Sequence, residues 1–395
     1  MTARPLSRSA LVLWLSLAQL ITWGSVFYTF ALLLEPVERE LGLTRAQSSL
    51  AFSLALLAEG LCAYPVGRWI DRGHERAVMT GGSLLIATGL VLHAFIHSTA
   101  AFYATWVLLG AALAGTLYAP VFAVVTRRYP ADFRRAIITI TFLGGLASSV
   151  FIPLSAALIG GWGWRNALLT LAGIHLLVCL PIHVLCLRGA PGPSAPVAAG
   201  GHSPAVLLRS APFLLIGVFV IGMMGITAAI PPHLISLLRE AGLQEAWVIA
   251  IPATIGVVQV LGRLLLYFFE HRFDLHLANR LIPVLIPLAL AALIAGASSP
   301  MAGVLFVVLY GLGNGMLTIV KGTAIAQYVN REHVASLNGA LGIPTAIARA
   351  LAPVLLGVLW TREMGYRWGL AVLLAVAVVA CVALVMAQRK SLLPR

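Results

Sequence analysis

The chain is 395 residues long, 60% hydrophobic and only 10% charged, with a mean hydropathy of +0.97. Such a composition excludes a water-soluble globular or disordered protein. The formal charge of +13 is spread between apolar runs rather than gathered into a patch, which excludes nucleic acid as a partner.

Apolar runs of about 20 residues, enough to cross a roughly 30 Å hydrocarbon core, recur from end to end. They predict an all-α membrane protein with spans at 9–34, 44–69, 76–97, 101–126, 135–158, 164–187, 211–238, 243–269, 278–298, 301–327, 334–359 and 366–387, twelve in all. With the N-terminus inside, seventeen Lys and Arg fall on the inner side against six (Arg39, Arg45, Arg165, Arg239, Arg362 and Arg367) on the other. This asymmetry predicts that both termini are cytoplasmic. Short termini and the lack of long loops point to a bacterial inner membrane. The basic MTARPLSRSA is expected to stay as the cap of the first span, which lacks a small-residue cleavage site.

The first span ends in WGSVFYTFALLLEPVERELG, where Tyr28 is a candidate to line a central cavity or an ordinary packing aromatic. Thr44 is the predicted N-cap of the second span. Near its middle stands Glu59, a carboxylate at mid-membrane depth and so a candidate for proton coupling, or for an ion pair with an arginine of another helix.

The second span runs into GRWIDRGHER. This resembles the signature of the major facilitator superfamily between helices 2 and 3, with Gly67, Asp71, Arg72 and Arg76 on its positions. The resemblance implies close helix packing at Gly67 and a charge relay through Asp71, Arg72 and Arg76 that holds an outward-facing state. His74 and Glu75 depart from the pattern, where the family has glycine and a basic residue. The fourth span carries Gly110, Gly115 and Pro120, suited to close packing and a bend. In the loop TRRYPADFRR, Arg127, Arg128, Arg134 and Arg135 read as an orientation signal with lipid contacts.

Residues 188–210 are dominated by Pro, Gly, Ala and Ser, a flexible cytoplasmic linker between bundles at 1–187 and 211–395. Adding about 200 carries Gly115 onto Gly315, Tyr129 near Tyr328, Pro153 onto Pro353, and Gly163-Trp164-Arg165 onto Gly365-Tyr366-Arg367. Two pseudo-symmetric six-helix halves are the organisation of the major facilitator fold, with a midplane site exposed alternately by rocking.

In the seventh span Pro231 and Pro232 predict a helix break, and His233 reads as a capping or packing histidine in preference to a functional one. His93, His175 and His183 show no ligand spacing, and Cys62, Cys179, Cys186 and Cys381 no metal or redox spacing, so no metal or cofactor is expected.

The eighth span holds Gln259 and, four residues on, Arg263. A charge at this depth costs at least about 2.5 kcal/mol, so Arg263 either serves a ligand path or snorkels to the headgroups. Monocarboxylate transporters and related bacterial organic-acid antiporters carry an acid four positions before such an arginine, and the chain is similar to them here, with Gln259 in place of the acid. The Gly163-Trp164-Arg165 segment and the second span also resemble that branch. The resemblance implies that Arg263 pairs with a substrate carboxylate. The branch's first-helix lysine has no counterpart near Ala31 to Leu34.

The tenth span contains Asn314 and Lys321, the latter read as snorkelling; the eleventh places Arg349 near mid-depth, where it could pair with Glu59. Three intramembrane cations against one carboxylate favour an anionic substrate, and arginine's fork matches a carboxylate. The expected function is a secondary transporter of a small organic anion, a monocarboxylate or related acid, working by alternating access with proton coupling possible. Arg263, Arg349, Tyr28, Gln259 and Asn314 are the substrate-binding candidates. An efflux pump of the same fold is the alternative, and a non-transporting sensor a distant one. No nucleotide-binding loop or nucleophile–base pair stands out, so an ion or substrate gradient rather than ATP is expected to drive it, and not an enzyme's chemistry. Twelve spans suffice for a monomer.

Overall fold

The structure is a computed structural model that describes residues 7–130, 133–189, 204–269, 274–296, 298–330 and 334–392. Among the described residues there is no strand beyond an isolated bridge, Thr361 to Gly365. Ten helical runs are long and apolar enough to cross a membrane. Two of them, Arg45–Ala94 and Arg135–Cys186, have 50 and 52 residues, more than twice what a roughly 30 Å core needs at about 1.5 Å per residue. Each is broken by a glycine in the left-handed region, Gly73 at φ 90° and Gly163 at φ 78°. A residue with a Cβ pays steric strain at these angles, so glycine sets where the chain turns back.

The described residues thus hold twelve spans. In the first half these are α1 (Arg8–Leu41), α2 (45–72), α3 (74–94), α4 (Thr99–Arg128), α5 (135–162) and α6 (164–186). The second half has α7 (Ala211–Glu240), α8 (Glu245–Phe269), α9 (His276–Gly296), α10 (Pro300–Tyr328), α11 (Val334–Val358) and α12 (Arg367–Arg389). The chain divides into two compact units, Met1–Val197 and Ala198–Arg395. Most of the predicted linker, 190–203, lies outside the described residues; a short helix, Pro204–Leu208, precedes α7.

Local chemistry places the helix ends. Thr44 caps α2 as predicted, accepting from the Gln47 N–H while the Gln47 side chain accepts from the Thr44 N–H, a capping box. α4 is interrupted at Gly115–Leu117, ahead of Pro120. The predicted break at Pro231 and Pro232 is absent, because α7 runs on unbroken through both. The prolines remove backbone bonds, but α11 and α12 flank this helix and hold its course.

Lipid supplies no hydrophobic drive for helix association, so small residues let backbones touch. In the first unit a Cβ on Gly110 of α4 would collide with the Ala55 carbonyl of α2. In the second, a Cβ on Gly315 of α10 would collide with the Gln259 carbonyl of α8. Gly110→Ala and Gly315→Ala are therefore expected to cost about 1–3 kcal/mol each through overpacking. Melting in detergent should show it, with Gly81→Ala and Gly322→Ala, where a Cβ meets nothing within 4 Å, as silent controls.

The repeat is visible in each unit. Glu40 accepts from Arg165 in the first, and Glu240 from Trp360 Nε1 in the second. Trp164 lies 5.9 Å from the His93 ring, and Tyr366, its counterpart, 5.4 Å from the His233 ring. Phe30, Phe52 and Trp106 form an aromatic centre in the first unit, with the Phe30 centroid 4.7 Å from each of the others.

Candidate functional site

The second unit concentrates the substrate-binding candidates. Gln259 and Asn314 each lie fourteen residues into their helices (259 − 245 and 314 − 300), hence about 21 Å from the helix start. Gln259 is only 4% exposed. Across the glycine-lined crossing Asn314 Nδ2 donates to Gln259 Oε1 at 3.2 Å. Arg263, half-buried, follows one turn later on α8.

Lys321 continues the group on α10. Its Nζ lies 3.5 Å from Met224 Sδ on α7, and Arg349 of α11 is close enough for the two charges to act on each other. The snorkelling expected of Lys321 is thus not observed, since its ammonium turns inward against another helix. Within the six helices of this unit carboxylates occur only at the ends, Glu240 and Glu245. Glu245 pairs with Arg239, NH2 to Oε1 at 2.6 Å, outside the interior. Arg263, Lys321 and Arg349 therefore share a bundle whose spans hold no interior acid, an arrangement that disfavours a cation and suits an anion.

In the first unit Glu59 is half-buried and lies fourteen residues into α2 (59 − 45), the depth of Gln259 on α8. Tyr28 ends a stretch of α1, Trp23–Tyr28, that widens into a π-helical turn; its ring meets Phe27 edge to face at 5.4 Å. Glu59 and Arg349, the candidate pair, belong to different units.

The signature segment forms the turn from α2 into α3. A Cβ on Gly67 would meet nothing within 4 Å, so close packing does not require glycine there. Asp71 and Arg72 are exposed, and among the described residues neither side chain makes a hydrogen bond or ion pair. Arg76 Nε donates to the Val184 carbonyl at 2.8 Å. The buried pair at this end is instead Glu75 with Arg128, Nε to Oε1 at 2.5 Å, with Glu75 0% exposed. Arg128 also donates to the Leu187 carbonyl at 2.9 Å, tying α3 and α4 to the end of α6. Arg128 is thus a structural cation rather than a lipid contact. Glu75, the acid in a basic position, was its signal in the sequence.

The buried histidines separate into three kinds. His93 packs among Phe102, Trp106 and Trp164 with neither nitrogen hydrogen-bonded among the described residues. His233 is buried with both nitrogens engaged, Nδ1 3.1 Å from the Tyr366 hydroxyl and Nε2 2.9 Å from the Pro353 carbonyl, so it packs α7 to α11 and α12 as expected. His175 and His183 are also buried but each engages a single serine, Ser25 and Ser83, at 2.7 Å. With Cys179 they follow at four-residue intervals along one helix face.

The pattern of the Major Facilitator Superfamily matches residues 15–286. Monocarboxylate transporter 13 of Bos taurus is 29% identical over 302 residues, covering 71% of this chain and 68% of that one. Multidrug resistance protein MdtL of Klebsiella pneumoniae is 25% identical over 189 residues, 47% of each chain. A solved bacterial homologue of the human lysosomal transporter Spinster, inward-facing and unoccupied, superposes with a TM-score of 0.74 at 18% identity over 98% of both chains. With twelve apolar spans in two units and a family match over most of its length, the chain belongs to the major facilitator superfamily.

Proposed function

We propose that the protein is a secondary transporter of a small organic anion, a monocarboxylate or related acid, moved by alternating access and coupled to protons. The observation that carries this reading is the set of Arg263, Lys321 and Arg349 in six spans with no interior carboxylate. Arg263 binds the substrate carboxylate through its fork, Gln259 and Asn314 shape the site beside it, and Arg349 assists. Tyr28 and Glu59 are the first unit's contributions, Glu59 as a proton carrier. Gly67, Asp71, Arg72 and Arg76 serve as the conformational relay. The similarity to monocarboxylate transporter 13 supports the substrate class. The charge asymmetry of the loops supports cytoplasmic termini, and the short loops between spans support a bacterial inner membrane.

Competition in proteoliposomes tests this reading. Small monocarboxylic acids should inhibit counterflow of a labelled monocarboxylate, and their methyl esters, which lack the charge, should not. The similarity to multidrug resistance protein MdtL favours a second reading, an efflux pump of the same fold for drugs or other metabolites. Equal inhibition by acids and esters would select it.

A further inference from the structure

α6 carries His175, Cys179 and His183 on one face, and all three are 0% exposed. At the level of His175, α6 and α1 both widen into π-helical turns, His175–Cys179 on one and Trp23–Tyr28, which contains Ser25, on the other. Such turns are rare and collect at functional sites. The Ser25 hydroxyl has one hydrogen, directed at the Ile21 carbonyl 2.7 Å away. Toward His175 Nε2 the serine oxygen must therefore accept, so Nε2 carries the ring hydrogen and Nδ1 the lone pair. That Nδ1 is buried with no hydrogen-bond partner among the described residues, as is Nε2 of His183. His183 Nδ1 faces Ser83 Oγ on α3, with the Met79 carbonyl also in reach. His175 and His183 thus differ from His233, whose two nitrogens are both engaged, and from His93, which has a hydrogen-bond partner on neither among the described residues. A buried lone pair left unmatched costs about 1–3 kcal/mol.

We propose that His175 is a proton-binding site of the first bundle, with His183 as a second station nearer the Arg8 end. Binding moves one proton from hydronium to Nδ1: an O–H bond of hydronium breaks, the Nδ1–H bond forms, water is left and the ring gains one positive charge, while Nε2–H still donates to Ser25. The ionisable groups around the seam are few. On α6 they are Cys179, which faces Thr22 of α1, and His183, close enough for charge on one imidazole to act on the other. α1 has no ionisable residue between Arg8 and Tyr28, and α5 none beyond Arg135. α3 contributes His74, Glu75 and Arg76 at the Arg8 end and the buried His93 toward its other end, 5.9 Å from the Trp164 ring of α6; Glu75 is already paired with Arg128 of α4 and Arg76 bonded beside His183 at Val184. With no unpaired acid along the seam, an imidazolium there needs water beside it. Proton occupancy then follows access of the seam to one side of the membrane, the dependence on conformation that coupling needs. The role in coupling rests on the transporter reading; the binding of a proton does not.

The test uses the full chain, 15N-labelled at histidine, in lipid nanodiscs. His175 Nδ1 should pass from unprotonated to protonated between about pH 8 and pH 5, where imidazoles change charge. The signal is assigned by its loss in His175→Gln, and Ser25→Ala should displace its midpoint. If Nδ1 stays unprotonated over the whole range, or the midpoint ignores Ser25, the site is structural and the proposal fails. In proteoliposomes His175→Gln should keep substrate exchange and lose at least about tenfold of the accumulation driven by a pH gradient, a coupling of the usual size. Loss of both, or of neither, overturns the coupling role. A titrating His175 in a protein that moves no acid would leave the proton site standing and sink the transporter reading alone.

Discussion

Arg263→Ala is expected to reduce carboxylate uptake by roughly 30-fold or more, the equivalent of the 2 kcal/mol or above that a charge-assisted, bidentate contact supplies. Arg263→Lys should fall between the variant and the wild type, because lysine keeps the charge and loses the planar fork. The contrast separates binding from snorkelling. A side chain that only reaches for headgroups can be exchanged for lysine, or removed near the end of a helix, with little change in the concentration dependence of uptake. Melting curves for both variants complete the comparison, since the Gln259–Asn314 bond and the glycine crossing that set this depth remain intact. An unchanged uptake curve for Arg263→Ala would remove Arg263 from the site.

Arg128→Ala should be among the most destabilising single changes in the first unit. It leaves Glu75, 0% exposed, without the guanidinium 2.5 Å away. Breaking one partner of a buried pair costs about 3–5 kcal/mol, whereas replacing both with apolar groups is often neutral. The double variant Glu75→Leu, Arg128→Leu should therefore recover most of the melting temperature that Arg128→Ala loses. If Arg128→Ala melts like the wild type, the pair is not the tie between α3, α4 and the end of α6.

The fold was legible because lipid imposes it: each span must satisfy its own backbone and be apolar for about 20 residues, and hydropathy records both. The glycines that turn the chain, Gly73 and Gly163, stood between apolar runs in plain view. Depth was legible too, and it placed Glu59, Gln259, Asn314 and Arg349 away from the helix ends. What hydropathy does not carry is the lateral neighbour of a side chain. Lys321 read as snorkelling because its partner Met224 is 97 residues away, and Arg128 read as a lipid contact because Glu75 is 53 away. His175 and His183 needed Ser25 and Ser83, at separations of 150 and 100, before their spacing meant anything. Pro231 and Pro232 failed as a break for the same reason: the helices that steady α7 are remote in sequence.

The most direct measurement of anion transport is accumulation of a labelled monocarboxylate by wild-type proteoliposomes when the outside is made acidic. Saturable accumulation above the equilibrium level, abolished when the pH gradient is collapsed, is the predicted result. Vesicles that take up no acid under any gradient, yet move uncharged compounds, would contradict it.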